Sequence, residues 1–556
     1  MGTVCREDAE RLGLTVLDLS ERWVPPMLAT RPDGYEPRYQ KTYLALANER
    51  FRDAHTESLA RRDRYFEMYG IAPSFSVVRE RLADVARHQC HEEVDDEALW
   101  SAPDKLALES AGEARERERE VKKLRARLDA PQVATELDVE AHTELAALEA
   151  HGAAIRAVQA HLACDELFTS EPVAGAYTAP TSRAVRAFQR GAMLLPTGVV
   201  DEHTRMQLLA DSRERDFRTA LRVLRERVIA TTGLIEDGTA GTGMELVLGR
   251  ELEPPEVWRV DGHDLPLPGA APDLVSRATE AAAIALGWRD PDATLAFLDS
   301  IAELPAEAQL VAVRLPPPPS YHADHMELQA EIDRGDVWLD DSPTKRKLER
   351  RPALIVYAVH DGERIPLVRW PTTIGGWQDE KVDGKVVKRY KGSPAGPRVW
   401  RDVFVGPSWL PPSSTPDGEL VRRRGDGGVL AREQLGPSYR GAFGVVSFVH
   451  LNAVPRDEGY VYRDEGIRTH ATGNLVSLDY GASHGCHRLL GMHAVRLANF
   501  VLDHREHVHH GDTPTRYRRT VHHRGTHRIA IDSLGDRTEL VPPIPVDVLP
   551  GTIHKP

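Results

Sequence analysis

The run Ala353-Leu354-Ile355-Val356-Tyr357-Ala358-Val359, followed after His360-Asp361-Gly362-Glu363 by Ile365-Pro366-Leu367-Val368, marks where the chain changes character. β-Branched and aliphatic residues fill both arms, and the Asp-Gly between them is a tight-turn signal, so the stretch predicts a β-hairpin. More runs of the same kind follow at Val399 to Val405, Val445 to Leu451 and Ile467 to His470. Upstream, apolar residues recur at helical spacing instead. The reading is a multidomain chain with a mainly helical N-terminal half and a β-rich domain after it.

At 556 residues the chain is too long for one hydrophobic core. Composition shifts divide it into a helical domain of unknown role (1–105), a charged helical segment (106–153), a compact unit (154–212), a mixed connector (213–350), the β-rich domain (351–512) and a C-terminal extension (513–556). From Glu109 to Leu128 acidic and basic residues alternate, and Val121, Leu124 and Leu128 form one narrow apolar stripe. The helical pattern resumes from Thr135 to Leu162, with Leu145, Leu148 and Ile155 facing a partner. Another helix is expected through Leu221, Leu224 and Val228. Pro316 to Pro319 predicts a stiff, extended connector, and the polar stretch His322 to Arg351 reads as surface or linker.

The formal net charge of -14 argues against a general nucleic-acid binder, which shows a basic face. No window approaches the roughly 18 apolar residues of a membrane helix. Met1 to Arg22 carries Glu7, Asp8, Glu10 and Asp18 and lacks the pattern of an export signal. The four cysteines, Cys5, Cys90, Cys164 and Cys486, are too few for a disulfide scaffold. With Cys486 reserved for chemistry, one internal pair is the maximum. Cys5 with Cys90 is one possibility in an oxidising compartment, and three small buried hydrophobes is the other reading.

The chemistry concentrates in Ser483-His484-Gly485-Cys486-His487-Arg488. A thiol attacks an acyl group as thiolate, so a cysteine nucleophile needs a base or a positive field beside it. The run Leu489 to Val501 reads as a helix, which would put Cys486 at its positive end among free backbone N–H groups. Gly485 lets the backbone approach a substrate carbonyl, and Arg488 offers a cation for a carboxylate. The base is His470, which closes a strand-like run 486 − 470 = 16 residues earlier, with Gly473 and Gly481 in the intervening loop.

His470, Thr472-Gly473 and the Ser483 to Arg488 run together resemble the active-site signature of the L,D-transpeptidase (YkuD-type) catalytic domain. Gly392-Ser393-Pro394-Ala395-Gly396-Pro397 is similar to that family's Thr/Ser-Pro-x-Gly turn. Pro407-Ser408-Trp409-Leu410-Pro411-Pro412 is similar to its Asn-Pro-x-Trp-x-Pro-Pro, with Gly406 in place of the Asn. The resemblance covers about Ala353 to His510. Two departures stand out: His470-Ala471-Thr472-Gly473 replaces the usual His-Gly-Thr, and Ser413 to Leu435 is a long charged insertion. The resemblance implies that Cys486 attacks a diaminopimelate carbonyl in a peptidoglycan tetrapeptide stem and expels D-alanine. His470, oriented by the Ala471 carbonyl, would take the thiol proton, and the N–H groups of Gly485 and Cys486 would hold the oxyanion. His484, Arg488 and Ser483 would complete the site, with no metal or organic cofactor. Resolution by an amine gives a cross-link and resolution by water a carboxypeptidase; a catalytically silent wall-binding protein is the alternative of another class.

A second pattern lies in the compact unit. Pro180 opens a helix with Thr181, Ala184, Val185 and Phe188 on one apolar face, and Asp201 caps a second helix after a Gly turn. Ala184-Val185-x-x-Phe188-Gln189 followed by Thr197-Gly198-x-x-Asp201 resembles the three-helix peptidoglycan-binding domain, with Val185 and Phe188 as core residues. The implied partners are peptidoglycan stem peptides and glycan, and the implied location is the periplasm or cell envelope. The clustered His504, His507, His509 and His510 fit no ligand-spacing motif and are expected to follow a helix end. Asp340-Asp341 reads as surface charge.

Overall fold

The computed structural model of the chain describes residues 6–51, 57, 63, 66–100, 102, 105–129, 136–241, 271–338, 350–383, 385–423, 429–457, 459–479 and 483–554. A helical N-terminal half is followed by a C-terminal half built of sheets. Cys5 and Asp340-Asp341 lie outside the described residues.

The charged helix runs Ala111–Leu128 and starts in a capping box, in which Ser110 Oγ accepts the Glu113 N–H and the Glu113 carboxylate accepts the Ser110 N–H. Leu124 is buried while Val121 and Leu128 are half-buried, so the stripe is as narrow as its spacing implies. It packs on the long helix Glu136–Cys164. In the compact unit, Val185 and Phe188 of helix Ala179–Gly191 are buried with Ile155, Val158, Leu162 and Tyr177. Gln189 fastens the following turn. Its amide donates to Thr197 Oγ1, the Val199 carbonyl and Thr204 Oγ1, and its oxygen accepts the Gly198 N–H at 2.8 Å. Gly198 has φ +74° with Ser182 Oγ 2.6 Å from where a Cβ would sit, so only glycine fits this turn. Asp201 caps Glu202–Leu208 through the Thr204 N–H.

A second helical core is formed by Phe75–Leu82, Ser212–Thr232, Leu274–Leu286 and Pro291–Ala302, with Phe217, Leu221, Leu224, Val228, Trp288 and Phe297 inside. Cys90 is bonded to Cys164, not to Cys5. The bond ties helix Val85–Glu92 to the end of the long helix Glu136–Cys164, a proximity that only the helix packing creates.

Among the described residues the main sheet has nine strands. In spatial order the path runs His487–Leu489, Gly459–Ala471, Val446–Arg456, Gly396–Val405, Thr526–Val548, Glu327–Asp333, Ala353–His360 and Glu363–Pro371, and His507–His522 pairs with Thr526–Val548 off that path. The expected hairpin is its far edge, with His360 opposite Glu363. Two strands come from outside 351–512. Thr526–Val548 lies in mid-sheet, antiparallel to Gly396–Val405 and parallel to Glu327–Asp333. The stretch expected as surface or linker thus supplies a sheet strand. Leu328, Ala330 and Ile332 are its buried face, alternating with the polar Glu327, Gln329 and Glu331 that masked the pattern.

The N-terminal residues share this sheet's core: Met27, Tyr43, Phe66, Met68 and Tyr69 cluster with Trp370, Trp400, Phe448, Leu497 and Phe500. Helix Gly491–His504 backs the sheet, and a Cβ on Gly491 would lie 2.0 Å from the Tyr69 carbonyl carbon, so backbone meets backbone there. His504 closes this helix, and His507, His509 and His510 follow on a strand. Among the described residues no helix is long and apolar enough to cross a membrane.

Candidate active site

Cys486 immediately precedes the short strand His487–Leu489, which runs parallel to Gly459–Ala471 with His470 opposite Arg488 and Thr469 opposite His487. Strand side chains alternate, so His470 and Arg488 project from one face while Thr469 and His487 project from the other. The helix expected at Leu489 begins only at Gly491. His487–Leu489 spends its backbone groups on the sheet, and Cys486 therefore stands outside the first turn of the helix, where the dipole acts.

His470 is buried, and its Nδ1 sits 2.6 Å from the Ala471 carbonyl oxygen. A carbonyl only accepts, so Nδ1 carries the proton and Nε2 is left with its lone pair, the tautomer a general base requires. Burial, aided by the Arg488 guanidinium, pushes the imidazole down to about 3. The Cys486 thiol is pushed up by burial, against the pull of the Arg468 backbone and of the Arg468 and Arg488 charges. The pair rests neutral. In this state the thiol faces the Gly466 carbonyl at 3.7 Å instead of His470.

Ser483 and Thr373 hold the cysteine backbone. Ser483 Oγ donates to the Cys486 carbonyl at 2.7 Å and accepts the Gly485 N–H at 3.1 Å. The Gly485 N–H, expected as an oxyanion donor, is thereby occupied. Thr373 Oγ1 donates to the same Cys486 carbonyl at 2.8 Å and accepts the Arg488 N–H at 3.0 Å. Gly485 has φ +103°, with the Gly392 carbonyl oxygen 3.3 Å from where a Cβ would be, which seats the Gly392–Pro397 turn against the cysteine loop. His484 is exposed beside it.

On the opposite face lies a buried network that sequence reasoning missed. His450 Nε2 accepts from Trp400 Nε1 at 2.8 Å and from Thr469 Oγ1 at 2.6 Å, and His487 Nδ1 approaches it at 3.3 Å. His487 Nε2 meets Ser393 Oγ at 2.8 Å. The one available signal was a lone histidine inside the apolar run Val445 to Leu451. Thr373 had none, because its segment is distant in sequence from the cysteine.

A groove of about 470 Å³ lies over the sheet strands next to this site. Phe404, Trp409, Leu410, Phe443 and Tyr462 line it with Arg401 and Arg468, so the Pro407–Pro412 motif forms part of one wall. Its lining includes Gly466, the thiol's partner, and Phe443, whose ring stands edge-on to His470 with centroids 5.0 Å apart. Its volume is in the range of small-ligand sites. The insertion packs Leu420, Val421 and Leu435 against Val521, Ile529 and Ile531 of the C-terminal strands, with Trp409 and Leu410 beside them. Among the described residues no group of three or more His, Cys, Asp or Glu is placed to hold a metal ion.

The serine-held cysteine loop, Arg488 and His470 thus share one sheet edge beside a groove, with His470 opposite Arg488. Residues 151–208 match a family model described as a putative peptidoglycan binding domain. The match spans the Val185, Phe188 and Gln189 helix and the Gly198 turn, and it supports peptidoglycan as a partner and an association with the cell wall. No curated protein matches the chain.

Proposed function

We propose that the chain is a peptidoglycan L,D-transpeptidase in which Cys486 carries the acyl group and His470 moves the proton. What supports this most is the His470 tautomer: Nδ1–H is committed to the Ala471 carbonyl, which leaves Nε2 as a base on the sheet face and edge where Cys486 lies. Catalytic hydrogen bonds often tighten only when substrate binds, and the mechanism has the thiol leave the Gly466 carbonyl and give its proton to Nε2. In the reaction, the Cys486 S–H proton passes to His470 as sulfur bonds to the stem carbonyl carbon. The C–N bond to D-alanine then breaks, and His470 returns the proton to the departing amine. An acceptor amine next attacks the thioester, transfers a proton through His470 and releases the thiolate, which is reprotonated. The Cys486 N–H is the oxyanion donor that remains once Ser483 has taken that of Gly485. Arg488 and Arg468 favour the stem's carboxylates.

The test is incubation with purified tetrapeptide muropeptides and mass spectrometry of the products. Cross-linked dimers are expected. Tripeptides alone would assign water as the acceptor, and unchanged stems with unmodified Cys486 would sink the enzyme reading in favour of a silent wall-binding protein. Cys486→Ala should abolish covalent labelling by a carbapenem; persistent labelling would refute the nucleophile.

A further inference from the structure

Behind His470 lies the segment Tyr439 to Gly444, wedged against the residues that hold the imidazole. A Cβ on Gly444 would lie 2.5 Å from the Ala471 Cβ and 3.2 Å from the Ala471 carbonyl oxygen, the very atom that orients His470. Gly473, two residues further on, approaches the Arg440 backbone to 3.0 Å by the same measure. Phe443 supplies the ring that stands against the imidazole. The position of this segment therefore sets the position of the base.

A single carboxylate grips that segment from a distant part of the chain. Asp63 is buried, with 4% of its surface exposed. It accepts from the Tyr439 hydroxyl at 3.1 Å and pairs with the Arg440 guanidinium. Phe66 and Tyr69 pack on the Tyr439 ring with centroids 5.3 and 5.2 Å away. Arg440 is held from its other side by Glu433 at 3.2 Å. Arg190, in the last turn of the helix that carries the wall-binding motif, reaches Asp63 to 3.9 Å.

We infer that Asp63 is a positioning residue for the His470 base, acting through Tyr439, Arg440 and the Ala471 carbonyl, and that this is a role of the N-terminal segment. The inference rests on the proposed role of His470. Burial and the neighbouring Asp63 charge both push the Tyr439 phenol up, which keeps it a donor to that carboxylate. Removing the charge leaves Glu433 as the carboxylate paired with Arg440 among the described residues and frees the segment to shift. Misplacement of a catalytic group by about 1 Å costs on the order of a hundredfold in rate.

The experiment compares full-length wild type, His470→Ala, Asp63→Ala, Asp63→Asn and Asp63→Glu. Two rates are measured: Cys486 acylation by tetrapeptide muropeptide against substrate concentration, and Cys486 alkylation by iodoacetamide across pH. Asp63→Asn keeps the shape and an acceptor for Tyr439, so it serves if Asp63→Ala does not fold. Asp63→Asn is expected to slow maximal acylation roughly tenfold to a hundredfold at unchanged half-saturation. Its alkylation profile should move toward that of His470→Ala, and Asp63→Glu should recover most of the rate. Identical alkylation of wild type and His470→Ala would sink the base assignment itself. If those two differ while Asp63→Asn matches wild type, or is changed only in half-saturation, the positioning role is overturned and the base assignment stands.

Discussion

The Cys486 carbonyl accepts two hydroxyl hydrogen bonds, from Ser483 Oγ at 2.7 Å and Thr373 Oγ1 at 2.8 Å, and this makes a double-mutant cycle decisive. Each hydroxyl also accepts a backbone N–H, that of Gly485 for Ser483 and that of Arg488 for Thr373. Both side chains are fully buried. Ser483→Ala leaves the Gly485 N–H without this partner and removes one bond to the carbonyl; Thr373→Val does the same to the Arg488 N–H. A buried polar group stripped of its partner costs about 1–3 kcal/mol, so each single variant should lose that much stability. The carbonyl keeps one donor in either single variant and loses both in the double. The double should therefore fall about 1 kcal/mol or more below the sum of the singles. Urea unfolding of the four proteins measures the cycle, and iodoacetamide alkylation of Cys486 reports whether the loop has loosened. Additivity within about 0.5 kcal/mol would refute the shared-acceptor geometry. Wild-type stability of Ser483→Ala would refute the hydroxyl tie altogether.

Two further outcomes follow from burial and topology. Burial pushes His487 and His493 down to about 3 and His450 well below its ordinary value, so the folded protein holds all three neutral. The unfolded chain takes up protons as pH falls through about 6.5, while the folded chain does not, so stability present above that pH is lost between about 6.5 and 3, at up to ~1.4 kcal/mol per pH unit per histidine. Equal urea midpoints at pH 7.5 and pH 5 would contradict this. Reducing the Cys90–Cys164 bond, which spans 74 residues, should lower stability by about 2–4 kcal/mol. The comparison is a Cys486→Ala protein with and without reductant, and an unchanged unfolding midpoint would show that helix packing alone holds that junction.

The cysteine and histidine are legible in the sequence because both lie in one short stretch, on a strand end and on the loop that returns to it. The wall-binding unit is legible for the same reason. Val185 and Phe188 share one small core, Gln189 holds the Gly198 turn and Asp201 caps the next helix, all within about twenty residues, so their spacing is their geometry. The strand Glu327–Asp333 kept its alternation of Leu328, Ala330 and Ile332, yet its polar half gave it the look of a linker. A half-buried strand declares itself only once its neighbours are known.

Sequence thus offered a candidate nucleophile, a candidate base and, through the resemblance, the carbonyl that faces that candidate base. Tertiary structure alone decided the rest. It placed a strand between Cys486 and the helix, so hydroxyls, not a helix dipole, organise the cysteine loop. It brought Thr373, Ser393 and His450 to that loop across long sequence separations. It paired Cys90 with Cys164 and carried Asp63 to the back of the His470 segment. The physical reason is the same throughout. Buried donors, acceptors and charges must find partners wherever packing delivers them, and packing depends on every other residue of the core.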